Sequence, residues 1–238
     1  MRETLEQGLK ALGLNRACIP VLEQFAALML EQNRVMNLTA ITEPRDVAAL
    51  HLLDSLSLLP ITGLAGEQVA DVGTGAGFPG VPLAIAEPSL HVTLLDSLGK
   101  RVDFLRRTCG TLGLENTQCV HARAEEFAGE HREAFDAAVS RAVAALPILS
   151  ELCLPLVKVG GRMLAMKSSH TEDEIEQSKA AVKTLGGQIE WVKDYIIPTT
   201  DVKHRVICVR KVSPTPEKYP RRFALIKKAP LGAPIRQI

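Results

Sequence analysis

A glycine-rich turn directly behind an apolar stretch is the feature that most restricts the fold of this chain. The segment DVGTGAGFPG, Asp71 to Gly80, holds four glycines in ten residues, and residues 68–72 before the turn have the pattern of a short buried strand. Glycine lets the backbone adopt positive φ and approach a ligand closely. A strand that ends in such a turn is typical of α/β proteins that hold a nucleotide at the carboxyl edge of a sheet.

Strand and helix patterns alternate after this turn. Strands are predicted at residues 68–72, 91–95, 117–121, 135–139 and 162–166, with helical segments between them. This alternation predicts a parallel sheet with right-handed crossovers. Two further β-rich stretches, 188–195 and 204–212, are too close for a crossover helix and should pair antiparallel. We therefore expect an α/β fold with a seven-stranded, mostly parallel sheet that closes with an antiparallel hairpin.

Three regions are expected along the chain. Residues 1–60 have helical periodicity and predict an N-terminal helical extension, residues 61–212 predict the α/β core, and residues 213–238 form a basic, Pro-rich tail. Within the core, residues 171–185 predict a helix with a capping box between Thr171 and Glu174.

Composition restricts the class of protein further. The chain has 238 residues, of which 46% are hydrophobic and 23% charged, as in globular proteins. We find no apolar run long enough for a membrane helix and no signal-peptide core. The five cysteines are widely spaced and form no C-x-x-C pair, which argues against disulfides and against a metal site. A reduced, cytoplasmic protein is expected.

The net charge of +1 conceals an asymmetry. Residues 199–238 hold ten Lys or Arg and two acids, a net charge of about +8. A basic tail on an acidic body suggests a polyanionic partner such as nucleic acid. An ordinary solvated surface would have the same composition, so charge alone leaves both interpretations open.

The residues within the turn discriminate between two cofactor classes. The glycines fit both G-x-G-x-G and the dinucleotide pattern G-x-G-x-x-G. Pro79 and Pro82 remove amide donors from the helix start that would hold a pyrophosphate. Asp71, at the end of the strand, should face the ligand and would repel phosphate while suiting a cationic group. These residues favour a ligand without phosphates over a nicotinamide dinucleotide, which remains the alternative.

Two later acids complete this interpretation. Asp96 lies at the end of the second strand, where an acid can accept both hydroxyls of a ribose. Glu125, after the third strand, could meet an adenine edge, although it could equally be a solvated helix start. A ligand with an adenosine, a positive centre and no phosphate is S-adenosylmethionine, which predicts a methyltransferase rather than an NAD-dependent oxidoreductase.

The fourth strand is followed by SRA, Ser140 to Ala142, and not by an N-P-P-[YF] tetrapeptide. Methylation of an exocyclic amine by that device is therefore not expected. Arg141 could stack on a base or donate to an acceptor, but it could also form an ion pair at the sheet edge.

Several segments now coincide with one family. They are VMNLTAI (Val35–Ile41), HLLDSL (His51–Leu56), DVGTGAGFPGVPLAI, TLLDSLGKRVDFL (Thr93–Leu105), RAEEF, SRA, LAMK (Leu164–Lys167) and the late YPRR pattern. In this order they resemble the bacterial 16S ribosomal RNA guanine-N7 methyltransferases, the glucose-inhibited division protein B family, over nearly the whole chain. The resemblance implies a Rossmann-like class I methyltransferase fold. It implies methyl transfer from S-adenosylmethionine to N7 of the guanine at position 527 of 16S rRNA, in the small subunit or its assembly intermediate.

The resemblance also implies site residues. Cofactor contacts are expected at Gly73, Phe78, Ala124, Glu125 and Arg141, beside Asp71, Gly75 and Asp96 from the residue analysis. Guanine N7 carries no proton, so no general base is expected, and Arg141 and Lys167 are candidates for substrate positioning.

Candidates for RNA contact lie at both ends of the chain. Arg221 and Arg222 are expected to meet phosphates. Asn37 and His51 could border the acceptor pocket, but Asn37 could instead cap a turn. His51 with Asp54, three residues apart on one helix face, could instead hydrogen-bond at the edge of the core.

Overall fold

The structure, a computed structural model, describes residues 1–232 and is built around one seven-stranded sheet. The strands are β1 (Gln68–Val72), β2 (His91–Asp96), β3 (Thr117–His121), β4 (Phe135–Arg141), β5 (Val157–Ser168), β6 (Gly187–Ile196) and β7 (Lys203–Lys211). Their spatial order is β3-β2-β1-β4-β5-β7-β6. The first five strands are parallel, and β7 runs antiparallel to both β5 and β6. The predicted α/β class and the antiparallel hairpin are confirmed.

Helices surround the sheet. They are α1 (Arg2–Leu12), α2 (Ile19–Met36), α3 (Pro44–Asp46), α4 (Asp54–Leu56), α5 (Leu58–Thr62), α6 (Gly80–Ala86), α7 (Gly99–Leu112), α8 (Ala124–Glu130), α9 (Leu146–Cys153), α10 (Glu172–Thr184) and α11 (Phe223–Lys228). A π-helical segment, Val47–Leu53, joins α3 to α4. No helix within residues 1–232 has the length and apolar character needed to cross a bilayer.

Alternating side chains of the strands build two cores, one on each face of the sheet. On β5, for example, Leu164 packs with the first core and Met163 with the second. The first core contains α1, α2, the π-helical segment, α6 and α7, and the second contains α8 to α11. The predicted N-terminal extension therefore completes a helical layer over one face of the sheet.

Two local expectations are corrected. Strand β5 begins at Val157 and not at residue 162, because Gly160, with φ of 89°, makes an irregularity in the strand instead of ending it. Thr171 does precede α10, but its side chain makes no cap hydrogen bond, so the predicted capping box is wrong. Glu174 instead accepts a hydrogen bond from Lys167.

The predicted tail, residues 213–238, packs on the second core over its described part. Ile226 of α11 is fully buried, and Tyr219 is 8% exposed. Arg132 donates to the carbonyl oxygen of Tyr219 at 2.8 Å. Of the residues that carry the predicted positive charge, Arg236 lies outside the described residues.

Candidate active site

The glycine-rich turn lies between β1 and α6, next to the point where the strand order reverses between β1 and β4. Such a switch point is where open α/β sheets bind ligands. Gly73 and Gly75 both have positive φ, 73° and 61°. A Cβ on Gly73 would come within 2.6 Å of Val143, whereas one on Gly75 would make only an ordinary contact, 3.9 Å from the Gly73 carbonyl oxygen. The turn thus needs glycine at residue 73 for space and at both positions for its backbone conformation.

The start of α6 offers no backbone donor to a phosphate. Pro79 and Pro82 have no N–H, as the sequence indicates. The N–H of Gly80 donates to Asp71 Oδ2 at 2.8 Å, and that of Val81 donates to the Gly77 carbonyl oxygen at 2.8 Å. All four nitrogens from residue 79 to residue 82 are therefore absent as donors or already used, which is unlike a pyrophosphate site.

An open cleft runs from this turn along the carboxyl ends of β1, β2 and β3. It encloses about 480 Å³, counting the solvent at its mouth. Gly73 and Asp96 line one part of it, and Ala124, Glu125 and Phe223 line another. Its size and its mixed polar and apolar lining are those of a small-molecule site.

Asp96 presents a fixed carboxylate in this cleft. It is only 5% exposed, and its Oδ2 accepts from the N–H of Gly75 at 2.9 Å while its Oδ1 accepts from the N–H of Leu98 at 2.8 Å. Arg101 lies 3.5 Å from Oδ2. Oδ1 has a second lone pair without a partner among the described residues, so Asp96 can still accept a hydrogen bond from a ligand hydroxyl.

Asp71 has a different place from the one expected. It is fully buried and does not line the cleft, because its side chain turns under the glycine loop and holds the start of α6 at Gly80. Its Oδ1 has no hydrogen-bond partner among the described residues. Burial raises the pKa of Asp71 to about 6. The expectation that Asp71 faces the ligand directly is therefore wrong, because its carboxyl group lies beneath the glycine-rich turn.

Beyond β3, the cleft is walled by a short helix and by the tail. Ala124 begins α8, directly after Arg123, whose extended backbone precedes the helix. Glu125 Oε1 accepts from the N–H of Phe223 at 3.3 Å. The tail therefore reaches the same end of the cleft as Glu125.

Arg141, at the end of β4, is held against the helical layer. Its Nη1 lies 2.9 Å from Asp54 Oδ2 and donates to the carbonyl oxygen of Leu50 at 3.2 Å. Its guanidinium also lies 4.9 Å from the centre of the Phe78 ring, a cation–π contact. Arg141 thus forms the ion pair that the sequence left open, and this pair fixes the guanidinium above the turn.

His51 packs flat on the other side of this cluster. Its ring stacks on Phe78 with centroids 4.7 Å apart, and Arg141 Nη2 donates to its Nδ1 at 3.3 Å. His51 Nε2 lies 2.8 Å from Thr39 Oγ1. Burial, followed by the charge of Arg141, lowers the pKa of His51 to about 4. The ring is therefore a neutral part of the packing, the alternative that the sequence left open.

Asp54 is the centre of a buried polar network. It is 1% exposed, and its Oδ1 accepts from Tyr195 Oη at 2.7 Å and from His204 Nδ1 at 2.9 Å. Burial alone would raise the pKa of Asp54, but the hydrogen bond from His204 and the charge of Arg141 hold it below its ordinary value. The network joins the helical layer to β6 and β7.

Lys167 and Asn37 are placed away from the open cleft. Lys167 Nζ donates to the Ala144 carbonyl oxygen at 2.6 Å and to Glu174 at 2.5 Å. Its ammonium is thus not free for a substrate but holds the loop that carries Val143 into the cleft. Asn37 is exposed and ends α2 in a left-handed conformation with φ of 49°, as a capping residue would.

The two tail arginines differ. Arg221 Nη2 lies 2.6 Å from Oε2 of the fully buried Glu151, and Arg221 Nε donates to Oε1 at 2.8 Å. Arg222 is exposed. The expectation that both arginines are free to meet phosphates is corrected, because only Arg222 presents its side chain to solvent.

Much of the predicted positive charge is also neutralised within the fold. The cations paired with acids are Arg205, Arg210, Lys211 and Arg221. The cations that remain exposed in the described part are Lys203, Lys218, Arg222, Lys227 and Lys228. The surface available to a polyanion is therefore smaller than the charge of the segment suggests.

Sequence reasoning missed the partners that organise this site. Tyr195, His204, Glu151 and Phe223 lie far in the chain from the residues that they contact. A clue for Glu151 was an acid within the apolar sequence of α9, since a buried acid needs a cation. No local pattern marks His204 or Phe223.

Comparison with known proteins identifies close relatives. Residues 19–201 match the family GidB, described as rRNA small subunit methyltransferase G. The ribosomal RNA small subunit methyltransferase G of Pelotomaculum thermopropionicum is 43% identical over 236 residues, which cover 97% of this chain and 99% of that protein. The protein of the same name from Lachnoclostridium phytofermentans is 46% identical over 233 residues and 96% of each chain.

Solved structures share the fold at low identity. A SAM-dependent methyltransferase from Aquifex aeolicus superimposes with a TM-score of 0.51 and 17% identity, over 70% of this chain and 93% of that one. M. jannaschii TYW2 in complex with AdoMet has a TM-score of 0.51 and 17% identity, over 63% and 71% of the two chains. The class I methyltransferase fold predicted from the sequence is confirmed.

Proposed function

The chain belongs to the rRNA small subunit methyltransferase G family, and from this premise we propose that it transfers a methyl group from S-adenosylmethionine to N7 of the guanine at position 527 of 16S rRNA. The relatives match nearly the whole of this chain, so the assignment rests on residues throughout it and not on the cofactor core alone. Nothing in the comparisons supports the NAD-dependent alternative.

The single observation on which the cofactor assignment rests is that the start of α6 has no free backbone N–H group. Pro79 and Pro82 lack amides, and the N–H of Gly80 is held by Asp71. A dinucleotide has no donors there for its pyrophosphate. An S-adenosylmethionine molecule needs none, and Asp96 offers its carboxylate to a ribose in the adjoining cleft. When bound, this cofactor supplies an electrophilic methyl group on a sulfonium.

We assign the other cofactor contacts by position. Gly73 lines the cleft, and Gly75 in the same turn donates its backbone N–H to Asp96. Ala124 and Glu125 line the same cleft, and we place the adenine beside them, next to a ribose on Asp96. Phe78 makes a cation–π contact with Arg141, which lies beside the turn. Asp71 places a negative charge under the loop, which favours a cationic ligand over a neutral one.

The acceptor needs positioning and no proton transfer. Guanine N7 has an in-plane lone pair and no hydrogen, so a general base has no role. Arg141 uses Nη1 and Nη2 within the protein, while its Nε–H makes no hydrogen bond with the described residues. That N–H can donate to guanine O6 or to a phosphate. Lys167 does not contact the substrate itself but fixes the loop that contains Ala144.

The RNA contact is proposed for the exposed cations, with Arg222 first among them, and for the exposed Asn37 at the end of α2. His51 is not proposed to contact RNA, because both of its ring nitrogens already have partners within the fold. The target base must be unpaired or splayed, because the major groove of an RNA helix is deep and narrow. In this scheme residues 1–60 support the acceptor side, residues 61–212 hold the cofactor, and the tail from residue 213 adds RNA contacts. An acceptor in the small subunit or its assembly intermediate implies action in the cytoplasm.

Methyl transfer with mapping of the modified atom tests this proposal. The protein is incubated with methyl-labelled S-adenosylmethionine and either naked 16S rRNA or small subunits, and N7 methylation is read as aniline-sensitive chain cleavage after borohydride reduction. We expect one labelled guanine and no label in a matched rRNA with that guanine replaced. Label on an exocyclic amine or a ribose would contradict the N7 assignment, and NADH binding without S-adenosylmethionine binding would contradict the enzyme class.

Asp96 gives the matched variants for the cofactor site. Asp96→Ala removes the carboxylate, and we expect cofactor affinity to fall about tenfold or more. Asp96→Asn keeps an acceptor for one backbone N–H, so the cofactor affinity of this variant should fall less. RNA affinity should be unchanged in both variants.

A further inference from the structure

We infer that the C-terminal tail supplies a wall of the cofactor site, and that Phe223 packs against the adenine of S-adenosylmethionine. The inference rests on the proposed function, because it names a further residue that contacts the cofactor. It gives the tail a role in binding a small molecule in addition to RNA.

The position of Phe223 is the first argument. Phe223 lines the cleft together with Leu152 of α9 and Ala124 of α8, and its half-buried side chain packs against the second core. Its backbone N–H donates to Glu125 Oε1 at 3.3 Å. Asp96, which we assign to the ribose, lines the same cleft, so we place the base beside Glu125 and Phe223.

The chemistry of this end of the cleft is the second argument. An adenine has two apolar π faces and a polar edge with an amino group that donates hydrogen bonds. Phe223 and Leu152 provide apolar surface, and Glu125 provides an acceptor beside them. Aromatic packing on a base is favourable for any base and needs no further polar contact.

The rigidity of the tail is the third argument. Two residues before Phe223, the backbone N–H and the guanidinium of Arg221 both bind the buried Glu151. Three residues after it, Ile226 is fully buried in the second core. Phe223 is therefore held from both sides, and the wall is in place before a ligand arrives, which lowers the entropic cost of binding.

Calorimetric titration with S-adenosylhomocysteine tests the inference on the full-length protein. Phe223→Ala should weaken binding about tenfold, in line with the loss of an aromatic contact to a base. Phe223→Tyr keeps the ring and should bind within about twofold of the wild type. Leu225→Ala is the matched control, because Leu225 is on the same helix and 54% exposed.

The outcomes are distinguishable. Phe223→Ala binding as tightly as the wild type, or Leu225→Ala losing as much affinity as Phe223→Ala, would overturn the inference while leaving the methyltransferase assignment intact. Failure of the wild type to bind S-adenosylhomocysteine would instead contradict the proposed function. Phe223→Leu keeps apolar volume in the fold, and an affinity between those of the Tyr and Ala variants would support contact with the base.

Discussion

Arg141 at the end of β4 and Asp54 in the helical layer, 87 residues apart in the chain, meet in an ion pair of 2.9 Å. Asp54 is almost fully buried, and the side chain of Arg141 is 14% exposed. The pair joins the N-terminal helical layer to the carboxyl edge of the sheet. The same ion pair holds the guanidinium over the Phe78 ring, 4.9 Å from its centre, so it contributes both to the fold and to the candidate site.

Asp54→Asn should destabilise the protein by about 3 kcal/mol at neutral pH, because it leaves the guanidinium of Arg141 without its counter-charge in a buried place. Urea unfolding gives the measurement. The control is Asp103→Asn, since Asp103 pairs with Arg106 at an exposed position and should change stability by less than about 1 kcal/mol. Equal losses in the two variants would contradict a buried pair.

The pH dependence of this contribution has a definite sign. The pKa of Asp54 is lower in the folded state than in the unfolded one. Its stabilising contribution is therefore present above the unfolded pKa and disappears as the pH falls through the folded pKa. Asp54→Asn and the wild type should converge in stability toward acid pH.

His51 should remain neutral, with the proton on Nε2, well below the pH at which an ordinary imidazole is protonated. Arg141 donates to Nδ1, so Nε2 must carry the hydrogen and donate to Thr39 Oγ1. Nitrogen-detected NMR of labelled histidine reports both charge and tautomer. A ring that titrates between pH 6 and 7, or that is protonated on Nδ1, would contradict this arrangement.

The same lowered pKa affects stability in acid. The unfolded state binds a proton at His51 as the pH falls below about 6.5, whereas the folded state does so only near 4. The folded protein therefore loses stability across this window. His51→Gln should reduce that loss, which is measurable by urea unfolding at pH 7 and pH 5.

The sequence predicts the sheet well because its determinants are local. Apolar β-rich segments alternate with helical ones, and a short connection can only make a hairpin, as β6 and β7 do. The effect of Pro79 and Pro82 is also local, because each lacks its own backbone N–H whatever the rest of the fold does. The predicted capping box failed because of a contact outside the helix that it was to begin. The sequence pattern predicts Glu174 as a capping residue, whereas in the structure it binds Lys167, because that ammonium is nearly buried and needs a counter-charge.

The arginines show the same limit. A charge count treats Arg221 and Arg222 alike, since nothing in YPRR separates them. Only the fold brings the buried Glu151 of α9 to one of them. The resemblance to a family indicates which segments to consider, but it does not indicate which of their side chains are exposed.

Asp71→Asn should make the protein more stable relative to the wild type as the pH rises. The folded pKa of Asp71, about 6, is raised above its unfolded value of 3.8. Its burial cost is therefore absent below the unfolded pKa and complete above the folded one. Between pH 5 and pH 7.5 the variant should gain about 1–2 kcal/mol over the wild type in urea unfolding. A constant difference would contradict a raised pKa.

The same variant tests the charge beneath the loop. S-adenosylmethionine is a cation at sulfur and S-adenosylhomocysteine is not, so only the first is attracted by a carboxylate at Asp71. Asp71→Asn should weaken binding of the first more than of the second, as measured by calorimetry at pH 7.5. Asp96→Asn is the control, because Asp96 is assigned to the ribose, which the two ligands share. Equal losses in Asp71→Asn would contradict an electrostatic role for Asp71.

Charge reversal should separate the two tail arginines. Arg222→Glu changes an exposed side chain, so it should leave the unfolding midpoint nearly unchanged and weaken RNA binding at low salt. The salt dependence of its affinity should become shallower by about one phosphate contact. Arg221→Glu places a carboxylate against the buried Glu151 and should destabilise the fold by about 3 kcal/mol or more. Lys10→Glu, an equal charge change on exposed α1, packed on the opposite face of the sheet, is the control. A general effect of net charge would lower the RNA affinity of Lys10→Glu and Arg222→Glu equally. A loss of RNA affinity confined to Arg222→Glu therefore assigns the RNA contact to the tail, and equal losses in the two variants would contradict a contact at Arg222.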